Sequence, residues 1–474
     1  MPDLRDTPSR REARKNKPSW MRLVFSIRNA IEMASSRYTF LIPALDCRLN
    51  LVANRNKNKP RSRLEKLPNE IKLEVISWIS EVRSIFSLAL TGPEFCAFVV
   101  THESTIARDV ITRHIHPDLL SLAVADHVAA KSSFNIHLNN CLDMNKAVAM
   151  SSSRSNSIVR FVEEYRRGNF TLKKQHKKGL RLYEAAEYFD SYNIMCDYAE
   201  TLSGVATGLV PKHVEFPGPI VSPMVLLRYV KALYVMQLVS YLFSWSGRNA
   251  PRSVYRAWGV FWSCFFPWEY GQMCCANTFL HVHVAVLTGK QMLISHFLGK
   301  KMIWRFVNFQ GPKRLWTLEK KDVPGAMEAA FESFSSCNHY QFISIAFPAP
   351  DYEMQTHFEK IARKLDEADG DALGAFGDFH LGPMKMWYRN LVWGKMLEAK
   401  GNFFCIFCLT KAGYPFWDDL RPEEDPSIVC HMNTASLERH KTAQENPDSP
   451  GSGVTRFRPE ACTCLLSQPY LPDV

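Results

Sequence analysis

The sequence predicts an all-α protein in which three short helices precede a larger, irregular helical domain. Over residues 64–430 apolar side chains recur every three or four positions, as at Leu226, Tyr229, Leu233, Gln237 and Tyr241, which is the period of a helix face. No series of segments alternates as strands do, and no unit repeats at a fixed period. With 474 residues, 46% of them apolar, the chain has material for a substantial core and for two or more domains.

The positive charge is concentrated near the N-terminus. Residues 1–66 hold sixteen Lys or Arg against six Asp or Glu, a difference of +10 in a chain of net charge +11. Residues 1–63 are therefore predicted to be a basic, disordered leader, with a nuclear-import signal or a weak RNA-binding arm as alternatives. The remainder is close to neutral, which argues against a nucleic-acid-binding domain. Residues 441–474 are rich in Pro, Ser and Gly, and we predict a disordered tail.

Cysteine usage and hydropathy indicate a location in the nucleus or cytoplasm, or both. The chain has 13 cysteines, an odd number without regular spacing, and no signal peptide is recognisable; reduced thiols are expected. Residues 220–245 and 254–287 are the most apolar stretches, but charged residues such as Arg228 and Lys231 interrupt them. We predict that both are buried core segments and that neither spans a membrane.

The first helix of the N-terminal group is predicted from residue 67 onward, in "LPNEIKLEVISWI". Pro68 suits a first turn, where its missing N–H would have no partner, and a carboxylate at Glu70 interacts favourably with the helix dipole. The helix is then expected to carry one apolar stripe. Its members are Ile71, Val75, Ile79 and Val82.

Two further helices are predicted in "VRSIFSLALTGPEFCAFV". Ser84 is the expected N-cap of the second, which carries Ile85 and Leu88. Thr91 and Glu94 have the spacing of a capping box, which predicts the start of a third helix. A piece of about 45 residues buries too little surface for independent stability, so it must pack on the rest of the chain or on another protein.

These residues resemble a known family. "LPNEI", "VISWI" and "VRSIFSLALT" are similar to the F-box, the three-helix module by which substrate receptors of Skp–cullin–F-box ubiquitin ligases bind the Skp adaptor. Three later segments resemble ones that recur in filamentous-fungal F-box proteins: "LLRYVKALYVMQLVSYLF" (226–243), "FFPWEYGQMCCANTFL" (265–280) and "GYPFWDDLR" (413–421). The resemblance implies an F-box at 64–115 and a helical substrate-recognition domain at 116–440.

The resemblance also implies partners and site residues. The expected partners are the Skp adaptor, the cullin scaffold and an unidentified target protein; no cofactor, catalytic residue, metal site or membrane contact is expected. Two groups of side chains would supply adaptor contacts or the local core: Leu67, Pro68, Ile71, Val75 and Ile79 of the first helix, and Val82, Ile85, Leu88 and Leu90 of the second. Gly92-Pro93 departs from the family's pattern of Cys or Ser followed by a basic residue, but we expect the third helix to survive.

Two alternatives compete with an F-box adaptor. One is a non-catalytic helical scaffold whose F-box-like segment packs internally; it would bury the apolar stripe, whereas an adaptor-binding protein would expose part of it. The other is a zinc-dependent module around Cys405 and Cys408, with Cys430, His431 and His440 downstream. That second set lacks the usual ligand spacing, so buried inert thiols are favoured over zinc.

The remaining motifs do not indicate catalysis. The chain has no P-loop, nucleophile elbow, HExxH or dinucleotide fingerprint. Cys274 and Cys275 are expected in the core, and His281 and His283 are weak metal evidence. The basic stretch "YRRGNFTLKKQHKKGLR" (165–181) could attract phosphate or acidic partners, although a solvated helix face capped by Thr171 is the commoner outcome.

Overall fold

The computed structural model describes residues 66–132, 152–208, 222–243, 252–290, 297–320 and 325–336, apart from Ser80 and Lys178, together with Lys360. Within these ranges the chain forms thirteen helices and no strand, so the predicted all-α class is confirmed for them. The leader, the tail and the cysteines at 405 and 408 lie outside the described residues.

The helices of the described residues follow one another in chain order. They are α1 Asn69–Ser77, α2 Val82–Ala89, α3 Pro93–Thr101, α4 Glu103–His114, α5 Pro117–Lys131, α6 Ser152–Arg166, α7 Leu172–Gln175, α8 Leu182–Gly208, α9 Pro223–Phe243, α10 Arg252–Trp262, α11 Pro267–Leu287, α12 Phe297–Glu319 and α13 Ala326–Ser336.

The chain divides into two compact units. The first contains, of the described residues, 66–117 and 176–189; in it α1 packs on α4, and α3 packs on both α2 and α4. The 179–182 segment docks on the start of α4. There the Glu103 carboxylate accepts a hydrogen bond from the Leu182 N–H (2.9 Å) and pairs with the Arg181 guanidinium (2.7 Å), and the Leu180 N–H donates to Ser104 Oγ (3.1 Å).

The second unit is built around α9, which packs against α11 and α12. From Arg228 to Phe243 nearly every residue of α9 is buried, including polar Gln237 and Ser240. The periodic pattern in this stretch predicted a single apolar face. Helices that are apolar on all sides are core helices, so burial on every side agrees with the separate prediction that 220–245 lies in the core. The predicted core stretch 254–287 is divided between α10 and α11.

α9 is, within the part of the chain that the structure describes, the one helix whose length and composition would allow it to cross a membrane. The expectation that Arg228 and Lys231 would disqualify it by composition was therefore wrong. Burial accounts for both cations: Arg228 is wholly inside the protein, and Lys231 forms an ion pair with buried Glu269. Within α9, 72% of the most apolar 18-residue stretch is buried inside the protein, as expected of a core helix.

A kink in α12 brings together a buried polar cluster, consisting of Asp126, Ser191, Gln237 and Lys313. Gly311 has φ +70° and ψ 160°, and Pro312, which follows it, has no N–H to continue the helical hydrogen bonds. Gln237 Oε1 accepts the next N–H, that of Lys313 (2.9 Å). The Lys313 ammonium pairs with Asp126, whose Oδ2 also accepts a hydrogen bond from the Ser191 hydroxyl (3.0 Å). Four helices are thereby joined by charged and polar contacts in the core.

Candidate functional site

The first helix of the F-box-like segment begins where the sequence predicts. Pro68 precedes α1 with extended backbone (ψ 152°), and its carbonyl accepts the first helical hydrogen bond, from the Lys72 N–H (3.0 Å). Glu70 lies in the first turn. Pro68 is the N-cap residue and not part of the helical turn itself, a difference of one position.

The predicted caps of the next two helices are wrong. α2 begins at Val82 after Glu81, and Ser84 lies inside its first turn, 3.4 Å from the Glu81 carboxylate. Thr91 does not cap α3, since its hydroxyl donates backward to the Leu88 carbonyl (2.7 Å). Both hydroxyls satisfy local acceptors, as Ser and Thr often do near helix ends.

α3 nevertheless forms across the departure at Gly92-Pro93, as expected. Gly92 is the extended N-cap, and Pro93 occupies the first turn. Proline is favoured there because its fixed φ matches the helix and its missing N–H would be unpaired. The start of α3 is therefore stabilised by the fixed backbone angle of Pro93 and not by a capping box.

The inward face of α1 is formed by Lys72 and Ile76, which are 5% and 2% exposed. The Lys72 ammonium lies 5.8 Å from the Phe95 ring centroid and 5.6 Å from that of Phe98. These distances fit cation–π contacts, which compensate in part for burying a charge. A lysine thus joins α1 to α3, and the buried face of α1 is offset by one position from the predicted stripe of Ile71 and Val75.

The outward face of α1 carries apolar side chains that the described residues do not cover. Ile71 is 47% exposed and Trp78 is 81% exposed, with half-buried Val75 between them. Their spacing of four and three residues places them on one side of the helix, which Trp78 continues with αR backbone. We name Ile71, Val75 and Trp78 the α1 apolar face.

The structure separates the predicted adaptor residues by their burial. Pro68 and Ile71 are exposed, Val82 and Ile85 are fully buried, and the others are half-buried: Leu67, Val75, Ile79, Leu88 and Leu90. Val82 and Ile85 therefore belong to the local core. The others retain surface that a partner could cover.

Trp78 was not among the predicted site residues, although it is the most exposed large apolar side chain described. Its indole N–H donates to Glu74 Oε1 (3.1 Å), which holds the ring along the helix. The seven-residue spacing from Ile71 was the signal that could have identified it. Val100 of α3 is also exposed, at 49%. Glu70, Glu74 and Glu81 are exposed as well and lie in the same stretch of the chain.

The described residues also bear on the predictions about metal binding, about the cysteines and histidines of α11, and about the cap of α7. These contain no group of three His, Cys, Asp or Glu that could hold a metal ion. Cys275 is buried in α11 as expected, and His283 contacts Glu319 (3.0 Å). Thr171 does cap α7, because its hydroxyl accepts the Lys174 N–H (3.3 Å), as the sequence predicted.

Three cysteines of the second unit, among the described residues, are expected to be unreactive. Desolvation by burial raises the pKa of Cys196, Cys264 and Cys274 to about 11. Because the thiolate is the nucleophile, roughly one hundred times less of it forms near neutral pH than at an ordinary pKa of about 9. Peptide mapping after iodoacetamide should show slow alkylation of these three in native protein and fast alkylation in urea. Equal rates in both conditions would contradict the burial.

Comparison with models of protein families, with curated proteins and with solved structures finds no match to this chain.

Proposed function

We propose that the chain is a non-catalytic F-box substrate-recognition subunit of a Skp–cullin–F-box ubiquitin ligase, of the filamentous-fungal type. Residues 67–99 would bind the Skp adaptor, and the helical region at 116–440 would hold the target protein. The observation that carries the proposal is the α1 apolar face, since Ile71 and Trp78 are exposed beside a well-buried local core.

Burial of this face by a partner would be favourable. A tryptophan buries roughly 150–250 Å² when covered, and apolar burial is worth about 25 cal/mol per Å². Tryptophan is also enriched among the few residues that dominate interface energies. Trp78 lies at the C-terminal end of α1, where its indole N–H donates to Glu74, and a tryptophan loses little side-chain entropy on binding because it has only two side-chain torsions.

The helical scaffold is the second candidate function. It requires the F-box-like stripe to pack internally, and the burial of Val82 and Ile85 would suit it. The exposure of Ile71 does not suit it, because Ile71 belongs to that stripe and internal packing would cover it. Exposure therefore favours the adaptor-binding function over the scaffold.

The proposed mechanism is proximity. The adaptor and cullin would hold the chain and its target near a charged ubiquitin-conjugating enzyme, which raises the effective concentration of the target lysine. The chain's own task is to bind on two surfaces, one for the adaptor and one for the target.

The test is adaptor capture by the full chain carrying Leu67→Ala and Pro68→Ala. We expect roughly a hundredfold loss of affinity for a purified fungal Skp adaptor, since each aliphatic side chain buried in an interface contributes about 1.5–3 kcal/mol. α1 itself should persist, because the Pro68 carbonyl and not its ring accepts the Lys72 N–H. Trp78→Ala should also weaken capture, by at least roughly tenfold.

The control is the double change Val286→Ala and Leu287→Ala. These adjacent residues of α11 are 43% and 38% exposed, so the variant removes a similar amount of exposed apolar surface elsewhere. Its adaptor affinity should equal that of the unaltered chain. If both double variants bind the adaptor unchanged, the F-box-like segment is not the binding surface.

A further inference from the structure

The α1 apolar face is bordered on one side by two exposed acids. Glu70 and Glu74 lie one turn apart on α1, and Glu74 lies one turn before Trp78, whose indole N–H donates to its carboxylate. Neither acid forms an ion pair with a cation in the part of the chain that the structure describes. The exposed side of α1 therefore presents apolar side chains next to negative charge that no described residue compensates.

A segment of the basic leader has the complementary composition. Within residues 19–34 five large apolar side chains recur at helical spacing, and we name them the leader stripe: Trp20, Leu23, Val24, Ile27 and Ile31. Immediately before them, residues 10–17 contain five Lys or Arg against one Glu. The leader lies outside the described residues, so this pattern is a property of the sequence. It offers apolar side chains and positive charge together, which are the counterparts of the α1 apolar face and its two acids.

The leader is attached close to the face that it would cover. Thirty-nine residues separate Ile31 from Ile71, and a chain of that length spans at most roughly 130 Å when fully extended. The α1 apolar face is only about 10 Å long, at a rise of 1.5 Å per residue. The leader stripe is therefore within reach of the face. Attachment to the same chain also raises its effective concentration there, so contacts of low intrinsic affinity are sufficient.

A tethered segment fits this face better than a second copy of the chain does. A stable interface between proteins buries at least roughly 1,200 Å² in total, whereas a covered tryptophan buries roughly 150–250 Å². Ile71, Val75 and Trp78 alone are too small a surface for a stable dimer. The leader has the matching need, because a helix of about fifteen residues is marginal in water by itself and a segment that is disordered alone can fold when it binds.

We propose that residues 19–34 dock on the α1 apolar face as an amphipathic helix and compete with the Skp adaptor for it. In the docked state the leader stripe covers Ile71 and Trp78, and the cations of residues 10–17 pair with Glu70 and Glu74. The contact is autoinhibitory, and this part of the proposal rests on the adaptor-binding function proposed above. Because only molecules with an open face bind the adaptor, the apparent affinity falls in proportion to the open fraction.

The first test measures adaptor affinity by calorimetry for two leader variants of the full chain. The test variant, Leu23→Asn with Ile27→Asn, removes two members of the leader stripe. The control, Met21→Asn with Phe25→Asn, removes an apolar pair of the same spacing on another side of the predicted helix. If the leader covers the face nine-tenths of the time, the test variant should bind roughly tenfold more tightly than the unaltered chain. The control should bind as the unaltered chain does, and an equal gain in both variants, or in neither, would overturn the proposed competition.

The second test detects docking without the adaptor. The photoreactive residue p-benzoylphenylalanine replaces Trp78 in the full chain, which is irradiated at low concentration and mapped by mass spectrometry. We expect cross-links from position 78 to residues 19–34 of the same molecule, reduced several-fold by Leu23→Asn with Ile27→Asn. Covalent dimers, or cross-links confined to other segments, would overturn the docking.

The two tests separate this proposal from the proposed function. Cross-links to the leader in a chain that binds no adaptor would confirm docking and contradict the adaptor function. Adaptor binding that neither leader variant changes, with no cross-link to the leader, would contradict docking and leave the adaptor function intact.

Discussion

Replacing Lys313 with Met is expected to destabilise the second unit by about 3–5 kcal/mol. Asp126 is wholly buried, and its partners are the Lys313 ammonium and the Ser191 hydroxyl. Removing one member of a buried ion pair leaves the other charge without compensation, and this costs more than the pair itself contributes. Urea unfolding followed by tryptophan fluorescence would measure the loss, since Trp258, Trp262 and Trp268 are buried in this unit.

The matched control adds Asp126→Leu to Lys313→Met. Exchanging both charges for apolar groups of similar size is often neutral in buried sites, so the double variant should recover most of the lost stability. If Lys313→Met alone lowers the free energy of unfolding by less than about 1 kcal/mol, the Asp126 carboxylate is not buried with Lys313 as its ion-pair partner. A double variant less stable than the single one would contradict the coupling.

Gly311→Ala is expected to lower the free energy of unfolding of the second unit by about 2–4 kcal/mol, which is the second large effect. The backbone there (φ +70°, ψ 160°) lies in a region that is essentially restricted to glycine. An added Cβ would also lie 2.6 Å from Ser240 Oγ and 2.8 Å from Gln237 Nε2. The polar cluster at the kink would have to move, and the hydrogen bond from Gln237 to the Lys313 N–H would weaken.

Gly289→Ala separates the two contributions. Gly289 also has positive φ (+64°), but no atom lies within 4 Å of the position that an added Cβ would take. Alanine there should lower the free energy of unfolding by about 1–2 kcal/mol, through the strain of a left-handed backbone alone. Equal losses at the two glycines, read from the same urea transition, would mean that the kink tolerates a methyl group without steric conflict.

The helical class and the starts of individual helices could be predicted because they depend on local signals. Proline and the first-turn acid predicted the start of α1 to within one position, but the predicted stripe continued to Val82, whereas α1 ends at Ser77. The caps at Ser84 and Thr91 failed because a hydroxyl can serve a cap or a preceding carbonyl, and spacing does not distinguish the two. Pro93 started α3 in place of a capping box, a choice that depends on backbone geometry at Gly92.

Contacts between distant segments could not be predicted. Asp126 and Lys313 are far apart in sequence, and neither stands in a motif. Lys72 lies outside the predicted stripe, and its burial depends on the rings of Phe95 and Phe98. Trp78 was left out of the predicted stripe, because periodicity shows that a face is apolar without showing what covers it.

The most direct test of the central claim is calorimetric titration of a purified fungal Skp adaptor into the full chain, with the Leu67/Pro68 and Val286/Leu287 variants titrated alongside. We predict one-to-one binding by the unaltered chain and by the Val286/Leu287 variant, and roughly hundredfold weaker binding by the Leu67/Pro68 variant. Absence of binding by the unaltered chain, with its helical content intact, would contradict the adaptor function and leave the helical scaffold as the better account.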